Sequence, residues 1–156
     1  MSTAFVALIR AGQVPAAPLT DLPDVIAVHA LRELATCPEP DEAFAVVLDP
    51  PLSAAGQSAR VAAVLQTLRA VGVEEPEGGL VVTSVRPVTD TLKRVGPGGA
   101  LAGTADREHH RFVTVPIAAR LGVLRQALAQ EPQVESAGEI LAALTAAGAT
   151  VVAAAS

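Results

Sequence analysis

Short apolar runs of strand length alternate along this chain with longer stretches whose apolar residues recur at helical spacing, and that alternation restricts the fold more than any other feature. Phe5 to Ile9, Phe44 to Leu48, Leu80 to Val85 and Ala149 to Ala154 are the strand-length runs. The continuously apolar Phe44 to Leu48 suits a strand buried on both faces, as in a parallel sheet. Between them, Val25 to Ala35 sets Val28, Leu31 and Leu34 at spacings of three, which predicts an amphipathic helix with Asp24 as its cap and Pro38 beyond its end. A helix is also predicted from about Ser53 or Ala54 to Ala70, where Val61, Val64, Leu65 and Leu68 make one stripe and Gly72 ends it. Two more are expected over Ala118 to Ala129 and Ser136 to Ala147, before Pro132 and Gly148 respectively.

Pro15 to Pro23 reads as a loop. Arg94 to Thr104, interrupted by Gly96-Pro97-Gly98-Gly99, predicts two short strands around a turn, with Arg111 to Val115 returning beside them. The order is therefore strand, helix, strand, helix, strand, excursion, helix, helix, strand. It predicts an α/β sandwich with a mainly parallel sheet, from which residues 86–115 project as an antiparallel arm. Such sheets hold ligands beyond the carboxyl ends of their strands, where Asp49 and Arg86 to Thr91 fall.

At 156 residues the chain has the length of one domain with a real core. Its 51% apolar content includes three Phe and neither Tyr nor Trp, so each side chain removes little area from water and stability must be spread over many contacts. The lone Cys37 excludes an internal disulfide and suggests no metal cluster, which fits a reducing, cytoplasmic setting. Nothing approaches the roughly 20 apolar residues of a membrane span, and no leader peptide is expected. The net charge of -5 is unevenly spread: seven of the eleven Lys and Arg lie between residues 86 and 125, with three acids, against thirteen acids and four bases elsewhere. One basic island points to a small anionic ligand rather than to a nucleic acid, which needs a broad cationic stripe.

That island contains Pro87-Val88-Thr89-Asp90-Thr91-Leu92-Lys93-Arg94-Val95, answered by Thr104-Ala105-Asp106-Arg107. Thr91 offers a hydroxyl to a phosphate oxygen, Lys93 or Arg94 offers charge, and Arg107 offers a planar bidentate fork. The plainer alternative makes Asp90 a turn cap, the bases a solvated hairpin and Asp106–Arg107 a surface pair worth well under about 1 kcal/mol. His29 reads as a partly buried helix residue rather than a ligand, and His109 and His110 as a surface turn. No H-x-x-x-H or cysteine pair supports a structural metal site. The GPGG turn is too short and misplaced for a phosphate-binding Walker loop.

The strings PVTDTLKRV, TADR and RFVTVPIAARLGVLRQAL closely resemble the central part of the 2-C-methyl-D-erythritol 4-phosphate cytidylyltransferase family. Weaker resemblance extends to PLTDLPDVIAVHALREL and to ESAGEILAALTAAGATVVAAA. The resemblance implies a Rossmann-like nucleotide-diphospho-sugar transferase fold, a single domain over residues 1–156 with an arm at about 87–115, and a homodimer in which the arm crosses to the partner. It implies CTP as substrate, Mg2+ as cofactor and transfer of CMP to a sugar-alcohol phosphate. Thr91 and Arg107 would bind the acceptor phosphate, assisted by Lys93. Asp49 in VLDPPLS would face the metal if that string matches the family's H-D-A-A-R-P; matched instead to an earlier strand, it has no such role.

The family's glycine-rich loop and its lysine are replaced here by LIRAGQVPAAPLTD, in which Gly12 and Arg10 are what corresponds, and no lysine precedes Lys93. Nucleotidyl transfer depends on positioned donors, and loss of one can cost about 3 kcal/mol. Three functions follow: a cytidylyltransferase, a noncatalytic relative that binds a phosphorylated ligand or dimerises, and a domain whose function has drifted.

Overall fold

In a computed structural model, the described residues are 4–9, 25–48, 57–70, 76–87, 92–95, 98, 101–105, 111–128, 134 and 136–154. Eight strands and three α-helices are found among them: β1 (Phe5–Ile9), β2 (Val25–Ala30), β3 (Phe44–Leu48), α1 (Gln57–Ala70), β4 (Leu80–Pro87), β5 (Leu92–Val95), β6 (Leu101–Ala105), β7 (Arg111–Arg120), α2 (Leu121–Leu128), α3 (Ala137–Ala146) and β8 (Thr150–Ala153), with a 3-10 helix at Leu31–Thr36. Six strands form one sheet in the order β2-β1-β3-β7-β4-β8, and β5 and β6 pair separately. β1 runs parallel to β2 and β3, and β4 parallel to β8, while β7 lies antiparallel between β3 and β4. The sheet is thus mainly parallel, as expected, with one reversed strand near its centre.

Alternation along the strands divides the core into two. Phe5, Ala7, Ile9, Val46, Leu48, Val82 and Ala118 face α1, which meets them with the predicted stripe Val61, Val64, Leu65 and Leu68. Val6, Leu8, Ala45, Val47, Val81, Ile117 and Ala119 face the opposite layer, made by the 3-10 helix, α2 and α3. Helices on both faces give the three layers of a Rossmann-like sandwich. At α3 the end is fixed by a capping box: Ser136 Oγ accepts from the Glu139 amide at 3.1 Å, and Glu139 accepts from the Ser136 amide at 3.4 Å. Gly148, at φ 100°, then reverses the chain into β8.

Three expectations are corrected. The stretch Val25 to Ala35 is not an α-helix: Val25 to Ala30 pairs with β1, and Leu31 to Thr36 is a 3-10 helix. β-branched Val25, Ile26 and Val28 favour a strand, and a spacing of three is the 3-10 period. Leu31, Leu34 and Cys37 therefore stack in one buried row. The helix expected from Ala118 begins at Leu121, because Ala118 and Ala119 are fully buried between β3 and β4, where small side chains fit a doubly paired strand. Residues Arg111 to Val115 return beside β4 rather than beside β5 and β6.

The predicted hairpin is present as β5 and β6, which pair antiparallel, and Gly98 in its turn has φ 73°. The loop Pro15 to Pro23, the Asp24 cap, the helix start at Ser53 or Ala54 and the Gly72 stop lie outside the described residues.

Candidate functional site

The register of the sheet defines a rim. Ile9 and Leu48, the last residues of β1 and β3, are direct partners, so the chain leaves both strands at the same level. Val47 pairs with Ile117 and Ile117 with Thr83, which brings Thr83 to one residue short of that level and leaves three residues of β4 to run beyond it. At about 3.3 Å per residue, the β4–β7 pair extends about 10 Å past the end of β3. Ser84 to Pro87 pair there with Thr114 to Arg111.

A bulge marks where the sheet becomes the arm. Thr83 pairs with Ile117 but Ser84 with Thr114, leaving Val115 and Pro116 as extra residues on β7. Pro116 has no amide hydrogen to give a ladder, so it is tolerated at such a break. Thr83 is buried, and its hydroxyl donates to the carbonyls of Ser84 at 3.1 Å and Thr114 at 3.3 Å, tying the two sides of the break together. Farther along the chain, Leu92 pairs with Ala105 and Lys93 with Thr104. The hairpin is therefore entered one residue after Thr91 and left two residues before Arg107.

Of the residues assigned to the site from sequence, Arg10, Gly12, Asp49, Thr91 and Arg107 lie outside the described residues, as do Asp90, Asp106, His109 and His110. Lys93 is on β5 opposite Thr104. Arg10 and Asp49 each directly follow the last residue of a strand, Ile9 and Leu48, and those two are partners.

The opposite rim, where β3, β4 and β8 begin, holds a cleft of about 380 Å³ lined by Asp41, Glu42, Glu77, Gly79, Arg120 and Gln126 among others. Arg120 is already engaged: it donates to the Glu42 carbonyl at 2.8 Å and stacks 4.8 Å above the Phe44 ring. With three acids and one committed cation, this cleft is a poor seat for a phosphate. It belongs to the packing of the rim.

A second polar group was missed by sequence reasoning. His29 is on the edge strand β2, not on a helix, and its Nε2–H donates to Glu39 Oε1 at 2.6 Å and Oε2 at 3.2 Å. The Cys37 thiol donates to Glu39 Oε2 at 3.2 Å. Burial pushes the Glu39 carboxyl up, but hydrogen bonds from His29 and Cys37 outweigh it and hold it below its ordinary 4.5. Burial, reinforced by the bond to Glu39, pushes the Cys37 thiol above its ordinary 9.0. Arg125 of α2 clamps the same loop, donating to the carbonyls of Cys37 and Glu39, the latter at 2.9 Å, and to Asp41 Oδ1 at 2.5 Å. The spacing His29, Cys37, Glu39 matches no familiar motif; only the strand-to-loop reversal after Ala30 brings the three together.

No family model matches the chain. A segment of 64 residues, 41% of this chain, is 45% identical to the 2-C-methyl-D-erythritol 4-phosphate cytidylyltransferase of Ectopseudomonas mendocina, and a segment of 68 residues is 41% identical to that of Burkholderia cenocepacia. The chain is related to the 2-C-methyl-D-erythritol 4-phosphate cytidylyltransferases. The matched segments span 26% and 28% of those cytidylyltransferases. The fold agrees over nearly the whole chain: the crystal structure of the cytidylyltransferase from Thermus thermophilus superimposes with a TM-score of 0.64 at 21% identity, covering 99% of this chain and 89% of that one. The 4-diphosphocytidyl-2C-methyl-D-erythritol synthase of Anaerococcus prevotii gives 0.59 at 13% identity over 97% and 90% of the two chains. Among the described residues no helix is long and apolar enough to cross a membrane.

Proposed function

We propose that this protein binds a sugar-alcohol phosphate at the base of its arm and transfers CMP to it from CTP, as the names of its relatives state for them. The observation that carries this reading is the hairpin register. Leu92 lies opposite Ala105; in sequence Thr91 directly precedes the one and Arg107 follows the other by two residues, and their meeting at one phosphate is part of the proposal. In the proposed site Thr91 donates its hydroxyl, Arg107 its bidentate fork and Lys93 its charge. An oxygen of the acceptor phosphate then attacks the α-phosphorus of CTP, a new phosphorus–oxygen bond forms, and the bond to the β-phosphate breaks to release pyrophosphate.

Arg10 and Gly12, after β1, are proposed to meet the CTP phosphates, and Asp49, after β3, to hold Mg2+. A carboxylate beside substrate phosphates is the oxygen-donor set that Mg2+ takes, and the ion would neutralise charge at the phosphates. The residue pair Ile9 and Leu48, from which both segments leave, supports placing them together. The arm is proposed to pack against a second copy, giving a homodimer, with the chain acting as one domain.

A second reading is favoured by the sequence of the β1 exit, LIRAGQVPAAPLTD, which has one glycine and no lysine where a nucleotide must be gripped. On that reading the acceptor site persists without transfer. Pyrophosphate release from CTP, Mg2+ and 2-C-methyl-D-erythritol 4-phosphate separates the two. Release that Arg107→Ala reduces by at least about tenfold, the value of one charged hydrogen bond of roughly 1.5 kcal/mol or more, supports transfer. Binding of the acceptor with no release and no CTP affinity supports the second reading.

A further inference from the structure

Outside the proposed rim, the chemistry that stands out among the described residues is the group His29, Cys37 and Glu39. An imidazole nitrogen, a sulfur and a carboxylate oxygen here lie within 4.8 Å of one another. We infer that these three side chains form a binding site for a borderline divalent transition-metal ion, zinc being the best match, with a fourth position left to water.

The donor set chooses the metal. Thiolate and imidazole together disfavour Mg2+ and Ca2+, which take oxygen ligands, and favour Zn2+. With metal–nitrogen and metal–oxygen bonds of about 2.0–2.1 Å and a metal–sulfur bond of about 2.3 Å, a tetrahedral ion needs its nitrogen and oxygen ligands about 3.3 Å apart and its sulfur and oxygen ligands about 3.5 Å apart. The Cys37 Sγ to Glu39 Oε2 separation of 3.2 Å is close to that spacing. His29 Nε2 lies 3.2 Å from the same Oε2, close to the nitrogen–oxygen spacing. In the metal-free arrangement two protons, one on His29 Nε2 and one on Cys37 Sγ, hold the place of the ion by donating to Glu39. Binding releases the thiol proton to solvent and shifts the His29 proton from Nε2 to Nδ1, leaving neutral imidazole, thiolate and carboxylate around a divalent cation, so that the charges of ligands and metal cancel.

The surroundings suit a formed site rather than a chance approach. Cys37 is buried at 7% exposure, while the His29 and Glu39 side chains keep 22% and 13%, which leaves an open side for entry and for the water ligand. Arg125 holds the loop that carries two of the ligands through the carbonyls of Cys37 and Glu39, the outer-shell support that fixes ligand geometry. Its charge is answered by Asp41, so the cation entering the cluster does not face an uncompensated guanidinium.

The full chain, freed of metal with a chelator, is titrated with Co2+ and, in competition with a chromophoric chelator, with Zn2+; folding of every variant is checked by circular dichroism. The expected result is one equivalent bound, a sulfur-to-cobalt charge-transfer band with the strong visible bands of four-coordinate cobalt, and an unfolding midpoint that rises with zinc concentration. Cys37→Ser is expected to abolish the charge-transfer band. His29→Ala, at a more exposed position, is expected to weaken zinc binding by at least about tenfold, a loss of the size that even outer-shell changes produce. Failure of the folded wild-type chain to take up one equivalent, or equal zinc affinity in wild type and His29→Ala, would overturn the assignment. The outcome is independent of whether CMP transfer occurs.

Discussion

The two rims of the central sheet are built on different principles. At the rim where β3, β4 and β8 begin, backbone and side chains interlock. An added Cβ at Gly78 would lie 1.9 Å from the Gly148 carbonyl oxygen, and one at Gly122 would lie 2.8 Å from the Asp41 Cβ. Thr150 donates to the Gly79 carbonyl at 2.9 Å, and Leu121 and Gly122 donate to Ala43 and Asp41 at 2.8 and 3.0 Å. The opposite rim carries the exits of β1, β2, β3 and β8 and a two-stranded extension, whose junction is secured by the buried hydroxyl of Thr83. The difference assigns stability to one end of the sheet and leaves the other free for chemistry, as open α/β sheets generally do.

Substitutions can break that division. The largest effect is expected for Gly78→Ala, because the clash is with a backbone oxygen that cannot rotate away; it should destabilise by about 3 kcal/mol in urea unfolding. Arg125→Ala should cost roughly 1–3 kcal/mol, since the carbonyls of Cys37 and Glu39 lose their donor while remaining part-buried. Arg107→Ala, on the proposed functional side, should shift stability by no more than about 0.5 kcal/mol. A shift as large as that of Gly78→Ala would erase the distinction between the rims.

Titration sharpens the picture at Glu39. Its carboxyl is held below 4.5 in the folded protein, so its contribution is present above that pH and is lost as pH falls through the lower folded value. Cys37 behaves oppositely: with its thiol raised above 9.0, stability is full below 9.0 and declines as pH rises through the folded value. Unfolding curves of wild type and Glu39→Gln should therefore differ most in their slope below pH 4.5, where the variant is the flatter.

Much of the layer structure was legible because it is local. The stripe Val61, Val64, Leu65 and Leu68 and the strand-length runs at Phe5, Phe44 and Leu80 each declare their partners by periodicity alone. What escaped depends on distant neighbours. Ala118 and Ala119 have helical propensity, yet they extend β7 because β3 and β4 flank them. The spacing of Leu31 and Leu34 was visible but fits two helical periods, and β-branched Val25, Ile26 and Val28 decided for a strand ahead of them. At the candidate site, residue types and order were readable in PVTDTLKRV and TADR, while the antiparallel return of β7 along β4 was not, since nothing in Arg111 to Val115 names its partner strand. The cluster of His29, Cys37 and Glu39 was illegible for the same reason, its members being joined by a reversal of the chain rather than by a motif.

Isothermal titration of 2-C-methyl-D-erythritol 4-phosphate into the wild-type chain and into Arg107→Ala, without CTP, tests the central claim most directly. Saturable binding to the wild type, weakened at least about tenfold by the substitution while the fold is retained, is the result expected for a phosphate held by a charge-assisted fork. Equal affinity in the two proteins, or no binding to either, would contradict the account.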